Sequence, residues 1–242
     1  MGKALLCLIC WLSAGPLHAA DFEAANRLYD AGNYAAAKTG YEALVKAGNW
    51  SANLFYNLGN THHRLGARGE AILGYERALA LDPSHPEALA NLGFVRGETG
   101  AVTWPVSWVD RIFPERWSDA LSIGGVLFGW IAVFLGARIL LTPRGKKMGL
   151  WCGVVAAAVI AAYSGCALWH LEQESALAIV TATKAEVHLA PAESSTTADA
   201  LPAGSQVRVL SERGDWIYCE RPTQGRGWIP AQTLERVRLR GS

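Results

Sequence analysis

Charge is scarce in this sequence. Of 242 residues, 18% are charged, against about 25% in an ordinary soluble domain. Neither sign dominates: 22 Lys and Arg face 21 Asp and Glu, for a net charge of +1. Without a basic excess, a general nucleic-acid binder is excluded and no nucleic-acid partner is expected. A low net charge combined with 51% hydrophobic residues excludes a disordered chain, which needs the opposite balance. The signatures of common catalytic sites are also missing. There is no G-x-S-x-G nucleophile elbow, no HExxH and no P-loop, and Ser211-Glu212-Arg213 reads as a loop. Cysteine is sparse, with five in all. Cys7 and Cys10 have CxxC spacing but fall in an apolar leader, Cys152 and Cys166 fall in a long apolar run, and Cys219 stands alone. A disulfide in either polar part is thereby excluded, and Cys219 is expected to be a buried strand thiol. His62 and His63 are adjacent, so on a helix they diverge by about 100° and cannot hold one ion together. No third ligand stands at zinc spacing. No metal, no cofactor and no enzymatic activity are expected.

What the sequence has in excess is tryptophan, ten residues, and apolar stretches. Residues 1–20 read as a signal peptide, with Lys3 as the charged start, an apolar stretch over 4–14, and His18-Ala19-Ala20 before the cleavage point. Residues 120–141 and 148–171 form two long runs whose one charge is Arg138. Each exceeds the ~18 residues that mark a membrane-spanning helix. The connection 142–147 is six residues long, which forces an antiparallel hairpin, and it carries Arg144, Lys146 and Lys147. By the positive-inside rule this loop is cytoplasmic. The polar parts on both sides then face outside the cytoplasmic membrane, as the signal peptide also demands of the first.

Neither span holds Asp, Glu or Lys, which counts against a transporter or proton relay. Gly125 and Gly129 in the first span, and Gly149, Gly153, Ala157, Ala161 and Gly165 in the second, place small residues at every fourth position, suited to close helix packing. Trp104, Trp108 and Trp117 precede the first span, while Trp151 and Trp169 stand near the ends of the second, about 27 Å of helix rise apart. They are expected at the membrane interfaces, with residues 101–119 as an interfacial linker on the outer surface. Charge differs by region: residues 21–119 hold 9 basic and 12 acidic side chains, residues 178–242 hold 8 and 7. Arg236, Arg238 and Arg240 are expected to form a solvated terminus.

Residues 21–100 repeat with a period of 34: Leu58-Gly59 recurs as Leu92-Gly93, Asn57 as Asn91, Tyr41 as Tyr75, Ala37 as Ala71, and Gly32 as Gly66 and Gly100. Asp82-Pro83 and Pro86 mark helix boundaries. The period and its Phe55, Leu58-Gly59, Ala71, Tyr75, Ala78, Pro83 series resemble the tetratricopeptide repeat. That resemblance implies paired helices whose first members line a concave, partner-binding face. By helix spacing Asn26, Tyr29, Tyr56, Asn60, His63, Arg64 and Phe94 could lie there. Asn side chains can hold an extended peptide backbone and aromatic rings can cover it.

Beyond residue 178 the pattern changes to short alternating strands, expected over 178–183, 187–189, 206–210, 216–220 and 227–230, with a polar loop over 194–198. The series Leu201-Pro202-Ala203-Gly204, Gly214-Asp215-Trp216-Ile217 and Gly225-Arg226-Gly227-Trp228-Ile229 resembles a bacterial SH3 domain over 178–237. Trp228 is expected to pack its barrel. Trp216, Tyr218 and Trp228 are the aromatic residues expected at a peptide or glycan groove.

The expected fold is thus a multi-domain membrane protein with an α-helical tetratricopeptide solenoid, a transmembrane helical hairpin and a small all-β SH3-like barrel. This order of segments looks like BatE-type proteins of the Bat aerotolerance gene clusters. That resemblance implies a non-catalytic scaffold on the outer side of the cytoplasmic membrane, embedded in the lipid bilayer. Its implied protein partners are membrane-anchored von Willebrand A-domain proteins, together with a MoxR-type ATPase. A membrane-tethered module that binds cell-wall peptide is the alternative.

Overall fold

A computed structural model describes residues 15–105, 118–141, 148–222 and 225–239. Five helices come first: α1 (Gly15–Asp30), α2 (Tyr34–Lys46), α3 (Ala52–Arg64), α4 (Arg68–Leu81) and α5 (Pro86–Thr99). Their starts are set by side chains that satisfy otherwise unpaired N–H groups. Asn33 accepts from Ala36 N–H, Ser51 from Leu54 N–H, and His85, followed by Pro86, from Ala88 N–H. The recurring glycines now have a cause. Gly32, Gly66 and Gly100 all take the left-handed conformation, with φ of 75°, 79° and 66°, which only glycine adopts freely. Each 34-residue period therefore turns the chain at the same point.

Small residues let the helices approach. A side-chain carbon added to Gly74 on α4 would lie 2.7 Å from the Gly59 backbone on α3. Around this crossing, Ala25, Ala37, Tyr41, Leu44, Leu54 and Leu58 form one buried cluster, while Ala71, Ile72, Leu73 and Tyr75 belong to the next.

The C-terminal part is a seven-stranded antiparallel sheet: β1 (Leu177–Val180), β2 (Lys184–His188), β3 (Thr197–Pro202), β4 (Gln206–Arg213), β5 (Trp216–Arg221), β6 (Gly225–Pro230) and β7 (Leu234–Arg236), in the order β3-β2-β6-β5-β4-β1-β7. Alternate residues face its core, among them Val187, Val207, Ile217, Cys219 and Ile229, the period of two expected of strands covered on one side.

The expected pairing of a tetratricopeptide solenoid with a small SH3-like barrel is corrected here. Among the described residues, seven helices precede a seven-stranded sheet, not a five-stranded barrel. Two strands lie outside the expected set. β3 begins in the stretch read as a polar loop, and β7 is a three-residue strand beyond the last expected one at 227–230. Nor are the helices a free-standing array, since α1–α5 and the sheet form one compact unit. Ile72 of α4 is fully buried in one cluster with Ile179 of β1 and Val237. Gly204 stands where an added carbon would meet Ile72 Cδ1 at 2.0 Å, and Gly69 where one would meet the Thr181 carbonyl at 2.4 Å. Apolar surface left uncovered by so short an array is buried on the sheet.

The segments flanking the sheet are held to it as well. Residues 102–104 are hydrogen-bonded to Ser205 and Gln206. Val102 N–H donates to Ser205 Oγ, Val102 C=O accepts from Gln206 N–H, and Trp104 N–H donates to Gln206 Oε1. The Trp104 ring packs 4.7 Å from the Arg208 guanidinium. The tail is likewise tied down: the Arg236 side chain pairs with Glu212 and its carbonyl accepts from Arg77.

The second unit holds α6 (Ser118–Leu141) and α7 (Met148–Ser175). Over Leu121–Leu141 and Met148–Trp169 both are long and apolar enough to cross a membrane. Their seam uses one glycine of each small-residue pair. A carbon added at Gly125 would lie 2.9 Å from Ser164, and one at Gly153 would lie 3.0 Å from Leu135, whereas Gly129, Gly149 and Gly165 meet nothing within 4 Å. Trp151 and Trp169 are exposed on the surface of α7. Residues 1–14 of the expected signal, the connection 142–147, and Trp108 and Trp117 lie outside the described residues.

Candidate functional site

The 34-residue period places the same polar triad twice. Tyr41 Oη donates to Asn26 Oδ1 at 2.7 Å, and Asn57 Nδ2 donates to that oxygen at 3.0 Å. One period later, Tyr75 Oη donates to Asn60 Oδ1 at 2.8 Å, and Asn91 Nδ2 donates to it at 2.9 Å. Burial pushes the Tyr41 hydroxyl up to about 12 and the Tyr75 hydroxyl up as well, so both stay protonated donors in the physiological range. With both lone-pair directions of Oδ1 in use, each Asn26 or Asn60 amide has only its Nδ2 hydrogens left to offer. These are donors suited to a peptide carbonyl.

The second triad opens on a groove. Tyr29, Tyr56, Asn60, His63, Arg64 and Phe94, together with Tyr75, Asn91 and Val95, line a cavity of about 360 Å³. Six of the seven residues expected on one face are thus brought together. The seventh, Asn26, is engaged in the first triad and is not among the lining residues. The recurrence of Tyr41 as Tyr75 and of Asn57 as Asn91 is visible in the sequence. That Asn26 and Asn60, separated by the same 34 residues, are their acceptors emerges only from the structure.

The groove is framed by charge and by rings. His63 Nε2 and Arg68 Nε lie 3.3 and 3.1 Å from Glu98 Oε2, and Arg68 first, then His63, hold the Glu98 carboxyl below its ordinary range. The His63 ring meets Phe94 edge-on with centroids 6.0 Å apart, and Phe94 is 61% exposed. The Arg64 guanidinium lies over the Tyr34 ring, 6.0 Å from its centroid. An exposed ring beside partly buried amide donors gives the groove an apolar lip and a polar floor.

The sheet carries the second set. Tyr218 of β5 and Trp228 of β6 are directly paired, with ring centroids 5.0 Å apart, and His188 meets Trp216 edge-on at 5.0 Å. Trp228 does not pack the core as expected. The core positions of β6 are Gly227 and Ile229, because an added carbon at Gly227 would press on Val187 at 2.4 Å. Trp228 is left half-buried on the other face beside Tyr218. Cys219 is fully buried, its thiol contacts the Gly227 carbonyl at 3.6 Å, and burial pushes it up to about 12, a state in which it is not a nucleophile. Among the described residues no group of three or more His, Cys, Asp or Glu could hold a metal ion.

No family model matches the chain. Over 80 residues, 33% of the chain, it is 38% identical to a protein of Pseudomonas aeruginosa named as a probable biofilm formation methyltransferase, WspC. The match spans 19% of that relative's length. It corrects the expectation that this chain is not an enzyme, because a third of the sequence has its counterpart in a protein named for an enzymatic activity.

Proposed function

We propose that this chain is a membrane-anchored, partner-binding protein whose groove at Tyr56, Asn60 and Phe94 takes an extended segment of another polypeptide. The observation that carries this is the groove itself, in which an amide donor saturated on its acceptor side sits between aromatic rings. Two helices long and apolar enough to span a membrane supply the anchor. In this reading the hairpin's basic connection, residues 142–147, is cytoplasmic, and the unit carrying the groove lies outside the cytoplasmic membrane. The partners are those of the Bat-type resemblance, von Willebrand A-domain membrane proteins. Crosslinking in intact membranes followed by purification of the full chain tests this. Recovery of such a partner with the wild type, lost with the Asn60→Ala, Tyr56→Ala double variant, supports it. Its absence from the wild-type sample sinks it.

A second reading is favoured by the paired rings of Tyr218 and Trp228 with Trp216 alongside, an aromatic surface suited to a cell-wall peptide. Because the sheet is packed against the helices, the full chain in detergent is the proper sample. Co-sedimentation with peptidoglycan sacculi that is abolished by Trp228→Ala supports this reading, and failure to sediment rejects it.

A further inference from the structure

A second cavity, of about 540 Å³, shares no lining residue with the groove. It lies against α2, α3, α4 and the segment after β7, and its volume is within the range of small-molecule sites. Its apolar wall includes Trp50, Phe55, Leu73 and Leu239. His62 also lines it; this imidazole is 8% exposed and has no hydrogen-bond partner among the described residues. Burial, and next the charge of Lys38, hold the imidazole at about 4, so it is neutral and presents one acceptor nitrogen.

The charged lining is balanced and selectively paired. Lys38 pairs with Glu42 at 3.7 Å and Arg77 with Glu235 at 2.8 Å. Lys46 and Glu70 line the same cavity and have no ion-pair partner among the described residues. One charge of each sign is therefore open. They stand at opposite ends. His62 in the last turn of α3 and Glu70 in the first turn of α4 flank the same connection, and Lys38 acts on His62. Lys46 is the last residue of α2 and precedes Trp50. From Lys38 to Lys46 the helix rises about 12 Å, the length of about three to four extended residues.

We propose that this cavity binds a short apolar peptide with free termini, its ammonium at Glu70 and its carboxylate at Lys46, its side chains against Trp50, Phe55 and Leu73. The site is separate from the partner groove and does not rest on that reading. The test is calorimetric titration of the full chain in lipid nanodiscs with the tripeptide Leu-Leu-Phe, and with its N-acetylated and C-amidated forms. The free tripeptide is expected to bind saturably. Blocking either end is expected to weaken it about tenfold or more. Glu70→Gln is expected to weaken the free peptide similarly and leave the acetylated one unaffected, and Lys46→Gln to do the same for the amidated one. Both residues are at least partly exposed, so these variants fold, and circular dichroism checks it. No saturable binding, equal binding of blocked and free peptide, or indifference to both charge variants would each overturn the proposal.

Discussion

Arg77 on α4 donates from Nη2 to Glu235 Oε1 on β7 at 2.8 Å, joining residues 158 apart in the chain. The same guanidinium donates to the carbonyls of Arg236 at 2.8 Å and Val237 at 3.2 Å. Arg77 is buried, so one side chain closes the last strand of the sheet onto the helices. Beside it Glu76 bonds Gln206 at 2.8 Å and pairs with Arg96. The helical part and the sheet are therefore one body stitched by polar contacts around an apolar seam at Ile72, Ile179 and Val237.

Arg77→Ala is expected to cost roughly 2–4 kcal/mol, because it strands two buried carbonyls as well as removing an ion pair. Denaturant melts of the full chain check the magnitude. Hydrogen exchange is expected to show β7 losing protection first, and unchanged exchange at residues 234–237 would contradict the role given to Arg77.

Gly204→Val places a branched side chain at φ +82° and within 2.0 Å of Ile72 Cδ1. It is expected to be more damaging than Gly214→Val, which is also at positive φ but meets nothing within 4 Å. The difference between the two melts isolates the packing of α4 on the sheet from backbone strain, which both variants share.

Stability is expected to fall with acid through His62. The folded chain keeps this imidazole neutral down to about 4, while its ordinary value is 6.5. Between these the unfolded chain binds more protons, so stability is complete above about pH 6.5 and declines toward pH 4. The loss is about 3 kcal/mol. Melts of wild type and His62→Met across pH 4–7 check this: the variant is expected to lack that part of the slope.

Much of this organisation is legible in the sequence. The 34-residue recurrence marks the turns at Gly32, Gly66 and Gly100, and it places Tyr56, Asn60, His63, Arg64 and Phe94 on one face because helical spacing is local. Charge-free length alone marks both apolar helices. What could not be read are relations across sequence distance. Arg77 to Glu235, Ile72 to Gly204, and Val102 to Ser205 leave no local pattern, so the helices and the sheet read as separate domains. β7 and β3 were lost because a three-residue strand and one starting in a polar loop lack the alternation that betrays longer strands. Trp228 lies off the core because ring size does not decide which side of a strand faces inward. That was decided by Gly227 against Val187.

Tyr75→Phe is expected to remove one donor to Asn60 while leaving the Asn91 bond, at a cost of about 1 kcal/mol. It frees an acceptor direction on Asn60 Oδ1 toward the groove, so partner capture is expected to fall more than stability does. Tyr41→Phe, in the triad away from the groove, is expected to match it in stability and leave capture unchanged.

The central claim is that the groove between α3 and α5 holds a polypeptide partner, and site-specific photocrosslinking in intact membranes tests it most directly. With the photoreactive residue at Phe94, the account predicts a discrete protein adduct that is absent when the residue is placed at Leu81, also exposed but outside the groove lining. No adduct at Phe94, or the same adduct from both positions, would contradict it.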